Sequence, residues 1–439
     1  MDGSSAHTRP AASTSLVASL PFDALRDLVS EVLERNPDIA RARRLAAAAA
    51  AKAPQVRALP EPVASLSFFV LPPETRAGPQ RATVSVQQKF PGLKKLKLKE
   101  QSAVWTAAAA EADVETRRLN QLTETRRLVH EMGFLEAFES IVQAERGTLV
   151  RYEKAAQARY ASGTGLQQEI VRIQAQITRT DTRLLEIAER RSSLSSRLNR
   201  LRDRPATTSI SPIEPVASRE PVFNTEGLLE LARRWRPEVA AAEARVAAAA
   251  AEVALAERAF RPEFSVGLSY SAVERRNDAA AERTRIDDDG DDVFALTTSV
   301  ALPVRRRPLE AGLTAAQARR WAADEGLRAV DADIEAHIGD LATRIPLLYE
   351  HLQLLESVLH KQAREALRSA ETAYSTGKLN AIDLLDAEVV LFEVRIAEAR
   401  TRADLAVAWA ELERAVGGPI PGQARLAEEM GEPTEPGHD

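Results

Sequence analysis

The chain has 439 residues, no cysteine, 5% aromatic residues and a formal net charge of −5. The lack of cysteine excludes disulfides, thiolate metal sites, Cys nucleophiles and a lipidated N-terminal Cys, and so small a charge leaves no footprint for nucleic acid. Few large side chains in an Ala-rich, charge-rich chain point to long helices packed closely side by side rather than to an ordinary globular core.

In chain order, residues 1–21 are expected to be a disordered N-terminal segment. They lack a basic segment followed by an apolar run, so an export signal is not represented among them. Residues 22–205 form a first structural repeat, with strands at 63–71 and 81–90 and helices at 92–160 and 166–204. An irregular Pro- and Ser-rich connector follows at 206–224. Residues 225–418 form a second repeat, with strands at 263–271 and 293–302 and helices at 306–375 and 380–417. The tail 419–439, rich in Pro, Gly and Glu, is expected to be disordered. No run of 18 apolar residues occurs, so no transmembrane helix is expected.

The repeat is read from internal matches. Tyr160-Ala161-Ser162-Gly163 recurs 214 residues later as Tyr374-Ser375-Thr376-Gly377, and the same offset carries Pro205 onto Pro419. Further back, Asn36-Pro37 matches Arg236-Pro237 at 200 and Phe90-Pro91 matches Leu302-Pro303 at 212. The extra length sits in the loop between Tyr270 and Phe294, which marks a duplicated unit that diverged at one loop.

The four strands alternate. Leu66, Phe68 and Val70 oppose Ser65 and Ser67; Ala82, Val84 and Val86 oppose Thr83, Ser85 and Gln87. Phe264, Val266, Leu268 and Tyr270 oppose Ser265, Gly267 and Ser269, while Phe294, Leu296, Thr298 and Val300 oppose Ala295, Thr297 and Ser299. An apolar face backed by a small-polar face fits a half-buried sheet or a transmembrane barrel with lipid outside and water inside. Four strands cannot close a barrel, so the second reading needs several chains. The loop Asp287–Asp292 must be solvated, and Lys94, Lys95, Lys97, Lys99 and Arg305–Arg307 at the opposite strand ends suit anionic headgroups or a solvated helix start.

No proline interrupts residues 92–204, and a helix over 93–160 is about 100 Å long. The following helix carries a heptad stripe from Leu166, Ile170, Ile173 and Ile177 to Leu201, answered in the second repeat by Ile382, Leu385, Val389 and Phe392 through to Ala410. Alternating spacings of three and four predict coiled-coil packing. Pro346 and the matching Phe134, beside Gly133, predict a bend in each long helix.

Together these features resemble the TolC-like outer membrane efflux protein family over residues 22–418. The resemblance rests on the duplicated plan, the Asn-Pro-Asp and Arg-Pro-Glu helix starts, Arg261-Pro262-Glu263 and the two Tyr-x-x-Gly turns. It rests above all on Tyr374-Ser-Thr-Gly-Lys-Leu-Asn-Ala-Ile-Asp383-Leu-Leu-Asp386-Ala. Gln80 to Lys97, with its Gln88-Lys89-Phe90-Pro91-Gly92 core, looks closer to the heavy-metal-efflux branch than to the type I secretion branch. The resemblance implies a mainly α fold with a small β part: a homotrimeric α-helical barrel topped by a twelve-stranded β-barrel, four strands per chain, in the outer membrane lipid and extending into the periplasm. It implies an exit duct served by a periplasmic adaptor and an inner-membrane pump of RND type, with no cofactor or metal. In such a duct Gly163, Gly165 and Gly377 mark tip turns that contact the adaptor, Asp383 and Asp386 ring the periplasmic entrance, and Tyr374 links to Glu169. The basic residue of that link falls on Leu379, so Lys378 stands in for it.

Read without the resemblance, Asp383 and Asp386 are two solvated carboxylates on a coiled coil. His130, His337, His351 and His360 show no metal spacing, and no phosphate loop or nucleophile motif appears, so an enzyme is not expected. The alternatives are a structural coiled-coil scaffold, which would not need matched strands in each repeat, and the exit duct of a type I protein secretion system.

Overall fold

The computed structural model describes residues 12–20, 23–210, 219–276 and 287–420. Three helices, α1 (Ala12–Ala18), α2 (Asp23–Arg35) and α3 (Pro37–Arg57), lead to β1 (Val63–Phe68), the two-residue β2 (Glu74–Thr75) and β3 (Gly78–Phe90). Then come α4 (Leu93–Ala161) and α5 (Gln167–Leu201). The second repeat runs α6 (Thr225–Trp235), α7 (Pro237–Arg258), β4 (Glu263–Val273), β5 (Val293–Ala301), α8 (Arg306–Leu354), a π-helical turn (Leu355–Leu359), α9 (His360–Ser375) and α10 (Ala381–Val416). The chain divides into two units, one of residues 1–43, 112–239 and 329–439, the other of residues 44–111 and 240–328.

The described residues of the first unit form helices and their connections, with no strand among them. Its cores are small and serial: one joins Leu25, Val29 and Val32 of α2 to Leu119, Leu122 and Leu128 of α4 and Leu198 of α5. Another joins Leu149 of α4, Ile173 of α5, Leu367 of α9 and Leu384 and Leu391 of α10. The two repeats start their helices alike. Pro37 and Pro237 open α3 and α7, where a missing N–H costs nothing. Asn36 is 2% exposed; its Oδ1 accepts from the Asp38 and Ile39 amides at 3.0 and 3.3 Å, and its Nδ2 donates to the Leu201 carbonyl at 2.9 Å.

Several expectations change. Residues 12–18, expected to be disordered, form α1. Leu16 is buried, the Ser13 amide donates to Glu115 at 2.6 Å and Arg118 donates to the Ser13 hydroxyl at 2.9 Å, so a short polar helix is held by α4. The tail beyond Ile420 lies outside the described residues, as does much of the connector. α4 remains helical through Gly133 and Phe134, since glycine keeps the N–H that proline lacks. In the second repeat α8 runs through Pro346, and the change of helical register comes at the π turn Leu355–Leu359. On α10 the deepest stripe is Ala381, Leu384, Glu388 and Leu391, with Ile382, Leu385 and Val389 half-buried beside it.

The second unit holds the sheet, ordered β1-β3-β4-β5 with every neighbour antiparallel. β3 pairs with β4 across the repeats, Phe90 opposite Phe264, so the two hairpins make one sheet. A seam of hydroxyls crosses its small-polar face, Ser65–Ser85 at 2.7 Å, Ser265–Ser299 at 2.9 Å and Thr83–Ser271 at 2.9 Å. All of β1 and all of β5 are exposed. β4 extends to Val273, past the expected loop start at Ser271; residues 277–286 of that loop lie outside the described set. The acidic run is tied down rather than merely solvated: Asp288 pairs with Arg76 at 2.5 Å, Asp292 accepts from the Val273 amide at 3.0 Å, and the Gly290 amide donates to the Ala77 carbonyl at 2.7 Å.

Asn36→Ala removes a cap and a buried side-chain hydrogen bond together. Each contributes about 1 kcal/mol, so denaturant unfolding is expected to show a loss of about 2 kcal/mol; a loss within error would mean that the helix start is held by packing alone.

Candidate functional site at the paired helix turns

The turn between α4 and α5 and the turn between α9 and α10 are copies in atomic detail. The Gly163 amide donates to the Tyr160 carbonyl and the Thr164 amide to that of Arg159; 214 residues on, Gly377 donates to Tyr374 and Lys378 to Ala373. Both Gly163 and Gly377 have φ +75, the left-handed conformation that ends a helix at little cost only for glycine. Gly165 is constrained differently, since a Cβ there would lie 3.0 Å from the Tyr160 amide nitrogen. Its counterpart is Leu379, which packs against the neighbouring apolar core.

Tyr374 and Glu169 are both buried, at 6% and 5% exposure. The tyrosine hydroxyl and Glu169 Oε2 make no hydrogen bond among the described residues. Burial raises the Tyr374 phenol, with the Glu169 carboxylate adding to it and Arg159 opposing. The basic group at this site is Arg159. Its guanidinium lies over the Tyr374 ring, 4.6 Å from the centroid, and donates to the Tyr374 carbonyl at 3.2 Å. Lys378 is exposed. Sequence reading missed Arg159 because it looked for the cation in the second repeat, whereas it sits one residue before the Tyr160 turn of the first.

Asp383 and Asp386 are exposed on α10. Asn380 caps that helix, accepting from the Ile382 and Asp383 amides at 2.8 and 3.0 Å, so Asp383 sits in the first turn, where a carboxylate meets the positive end of the helix dipole. Val390 and Glu393 continue the exposed side at spacings of four and three, so the two aspartates stand on a helix face left uncovered among the described residues.

A second pair of carboxyls was not foreseen. Glu145 of α4 and Glu388 of α10 are 3% and 4% exposed, and each occupies a core position, between Val142 and Leu149 and between Leu384 and Leu391. Each keeps one oxygen without a hydrogen bond among the described residues. Burial, then a hydrogen bond and repulsion from Glu388, push the Glu145 carboxyl up to about 8, against the pull of Arg183 and Arg395. A carboxylate this deep with a second beside it is stable only when a proton is shared. Nearby, the Tyr152 hydroxyl donates to Glu371 at 2.7 Å. The available signal was a glutamate interrupting an apolar heptad stripe.

Because the folded chain holds this proton above the ordinary value of 4.5, the associated stability is complete below about 4.5 and is lost as pH rises through about 8. Melting of the wild type is therefore expected to fall between pH 5 and pH 8.5 (about the two ends of this window), and Glu145→Gln is expected to flatten that fall. An equal pH dependence in the variant would mean that the two carboxyls do not share a proton.

Residues 228–418 match the outer membrane efflux protein family. A 186-residue segment is 28% identical to the pyoverdine export outer membrane protein OpmQ of Pseudomonas putida; it covers 42% of this chain and 37% of the relative. Among solved structures, the outer-membrane channel OprN superposes with a TM-score of 0.77 at 19% identity, covering 91% of each chain. The outer membrane protein VceC of Vibrio cholerae gives 0.75 at 23% identity, covering 90% of this chain and 97% of that one. CusC gives 0.71 at 16%, covering 94% and 99%. The first repeat, which the family match does not reach, shares the fold of these channels. Residues 228–418 thus resemble the outer membrane efflux proteins in sequence, and the described chain as a whole shares the fold of solved outer-membrane channels.

Proposed function

We propose that the chain is one of three identical subunits of an outer membrane exit duct, which passively conducts solutes delivered by a periplasmic adaptor and an inner-membrane pump. The observation that carries this reading is the sheet. Its apolar face is bare: Phe68 is 73% exposed, Leu268 57%, Phe294 72% and Leu296 73%. Every residue of β1 and of β5 is exposed among the described residues. In water such a face is an aggregation hazard, but against hydrocarbon it is the ordinary exterior of a barrel.

The two edges support the subunit number. β1 and β5 are both outermost in the sheet, so each leaves a row of backbone N–H and C=O groups unpaired. Lipid cannot satisfy such groups, and only closure removes the edge. Three chains of four strands give twelve, an even number within the range of outer membrane barrels. The helical remainder would form a periplasmic cylinder with walls about 100 Å long, the reach of a 69-residue helix such as α4. The pump class implied by the resemblance is RND. The heavy-metal branch rests on the segment Gln80 to Lys97 alone, outside the residues 228–418 that match the family.

Within this reading the paired turns are the periplasmic tip. Gly163, Gly165 and Gly377 hold the loops that meet the adaptor, and Asp383 and Asp386 provide six carboxylates around a three-fold entrance. Tyr374, Glu169 and Arg159 brace that entrance, and Lys378 is free to reach a neighbouring subunit. Exposure of both aspartates supports their facing a lumen, and the unpaired Tyr374 hydroxyl and Glu169 carboxylate are available to a rearranged gate.

The purified chain is expected to need detergent and to run as a trimer in cross-linking and electron microscopy; a monomer as the sole species would end the barrel reading, because four strands do not close. Asp383→Asn with Asp386→Asn is expected to reduce cation preference in single-channel recordings at unchanged trimer yield, since charges at a constriction dominate its field. Selectivity identical to wild type would place these carboxylates away from the pore.

A further inference from the structure

The unit of residues 44–111 and 240–328 contains a cavity of about 750 Å³, within the ~300–1,000 Å³ typical of ligand sites. One face of each of four helices lines it. Positions 49, 52 and 56 of α3 and 95, 99, 102 and 106 of α4 follow helical spacing onto the cavity. The floor is apolar, from Ala49, Val56, Ala103, Leu255 and Ala259; the rim is charged, from Lys52, Lys95, Lys99, Arg319, Glu252 and Glu263. Gly312 of α8 also lines it, and a Cβ there would meet no atom within 4 Å.

The rim charges do not cancel. Lys95 meets Glu263 at 3.0 Å and Arg319 meets Glu252 at 3.8 Å, which accounts for both carboxylates. Lys52 and Lys99 are exposed and have no ion pair among the described residues. Two uncompensated ammonium groups therefore stand over an apolar floor. The cavity adjoins the small-polar face of the sheet, since its lining residue Glu263 also meets Lys89 at 2.8 Å, and Lys89 lies opposite Ser265 on that face.

We propose that this cavity binds an anionic amphiphile, a solute with a phosphate, sulfate or carboxylate head held by Lys52 and Lys99 and a short apolar body laid on the Ala- and Leu-lined floor. The assignment of the solute to the water-lined lumen rests on the duct reading above; the binding site itself does not. Charge complementarity selects the head, and the apolar floor adds affinity in proportion to the apolar surface it covers. Lys95 and Arg319, already engaged, position the rim rather than the ligand.

The test uses the full chain in amphipol and isothermal titration with decyl phosphate, with decyl maltoside and inorganic phosphate as controls. Decyl phosphate is expected to bind at least tenfold more tightly than either control. Lys52→Gln with Lys99→Gln is expected to weaken it tenfold or more, and Gly312→Leu, which fills the cavity without touching the charges, is expected to do the same. Equal binding of decyl maltoside would reduce the site to an apolar groove, and equal binding of inorganic phosphate would reduce it to an anion patch; either outcome overturns the proposal, as does an unchanged affinity in both variants. A co-purified anionic phospholipid lost from the Lys52→Gln, Lys99→Gln variant would make the occupant a membrane lipid and overturn the assignment to a lumenal solute. Because binding is read without conductance, a channel that conducts but does not bind refutes this site alone, and a chain that binds but never forms trimers refutes the duct alone.

Discussion

A peptide group removed from water must keep its hydrogen bonds, and this constraint governs most of what the chain does. The sheet β1-β3-β4-β5 satisfies its inner strands and leaves both edges open, while its apolar side chains have no core to enter. Neither defect can be repaired inside one chain. The helices of the other unit spend their apolar positions on one another in small serial cores. In the proposed duct, lipid on one face and sister strands at both edges would resolve the two defects together, which is how a quaternary proposal follows from an observation on a single subunit.

Duplication explains how so long a chain is specified by so little hydrophobic material. Two copies of one helix–hairpin–helix plan supply two turns with the same hydrogen bonds and two proline-opened helices, and their hairpins join through β3 and β4 into one sheet. The copies are not interchangeable. Gly165 has no room for a side chain where Leu379 packs into the core, and the cation at the Tyr374 ring comes from the first copy. The backbone of the turns was kept while individual side chains beside them, the loop beyond β4 and the π turn at Leu355–Leu359 diverged.

The features visible in the sequence are those carried by local periodicity. Strand alternation, the unbroken stretch behind α4, the glycines at the turns and the capping Asn36 can each be read from residues a few positions apart. What stayed hidden depends on neighbours distant in the chain. α1 is a helix only because Glu115 and Arg118 hold it. Arg159 reaches Tyr374 across 215 residues, and Glu145 meets a partner on another helix. Isolated, Glu388 reads as one more surface carboxylate; only the shift of the deep α10 stripe to Leu384 and Leu391 turns it inward. A proline in a helix was legible as a local perturbation, yet the register change lies several residues beyond it at Leu355–Leu359.

The ionisable groups sort into two physical classes with different uses. Those on exposed faces, Asp383 and Asp386 on α10 and Lys52 and Lys99 on the cavity rim, have no ion-pair partner among the described residues, so their fields act on whatever passes near them. Those in the helical cores, Glu145 with Glu388 and Arg126 with Glu413 at 2.5 Å, are spent on each other. A buried pair of this second kind adds little net stability over an apolar pair, but breaking it leaves an uncompensated group inside. Such pairs penalise any arrangement of α4 and α10 other than the native one. A wall built of Ala-rich helices, whose small side chains permit sliding, needs that penalty to hold its register, and the exposed charges can then keep fixed positions along the surface they serve.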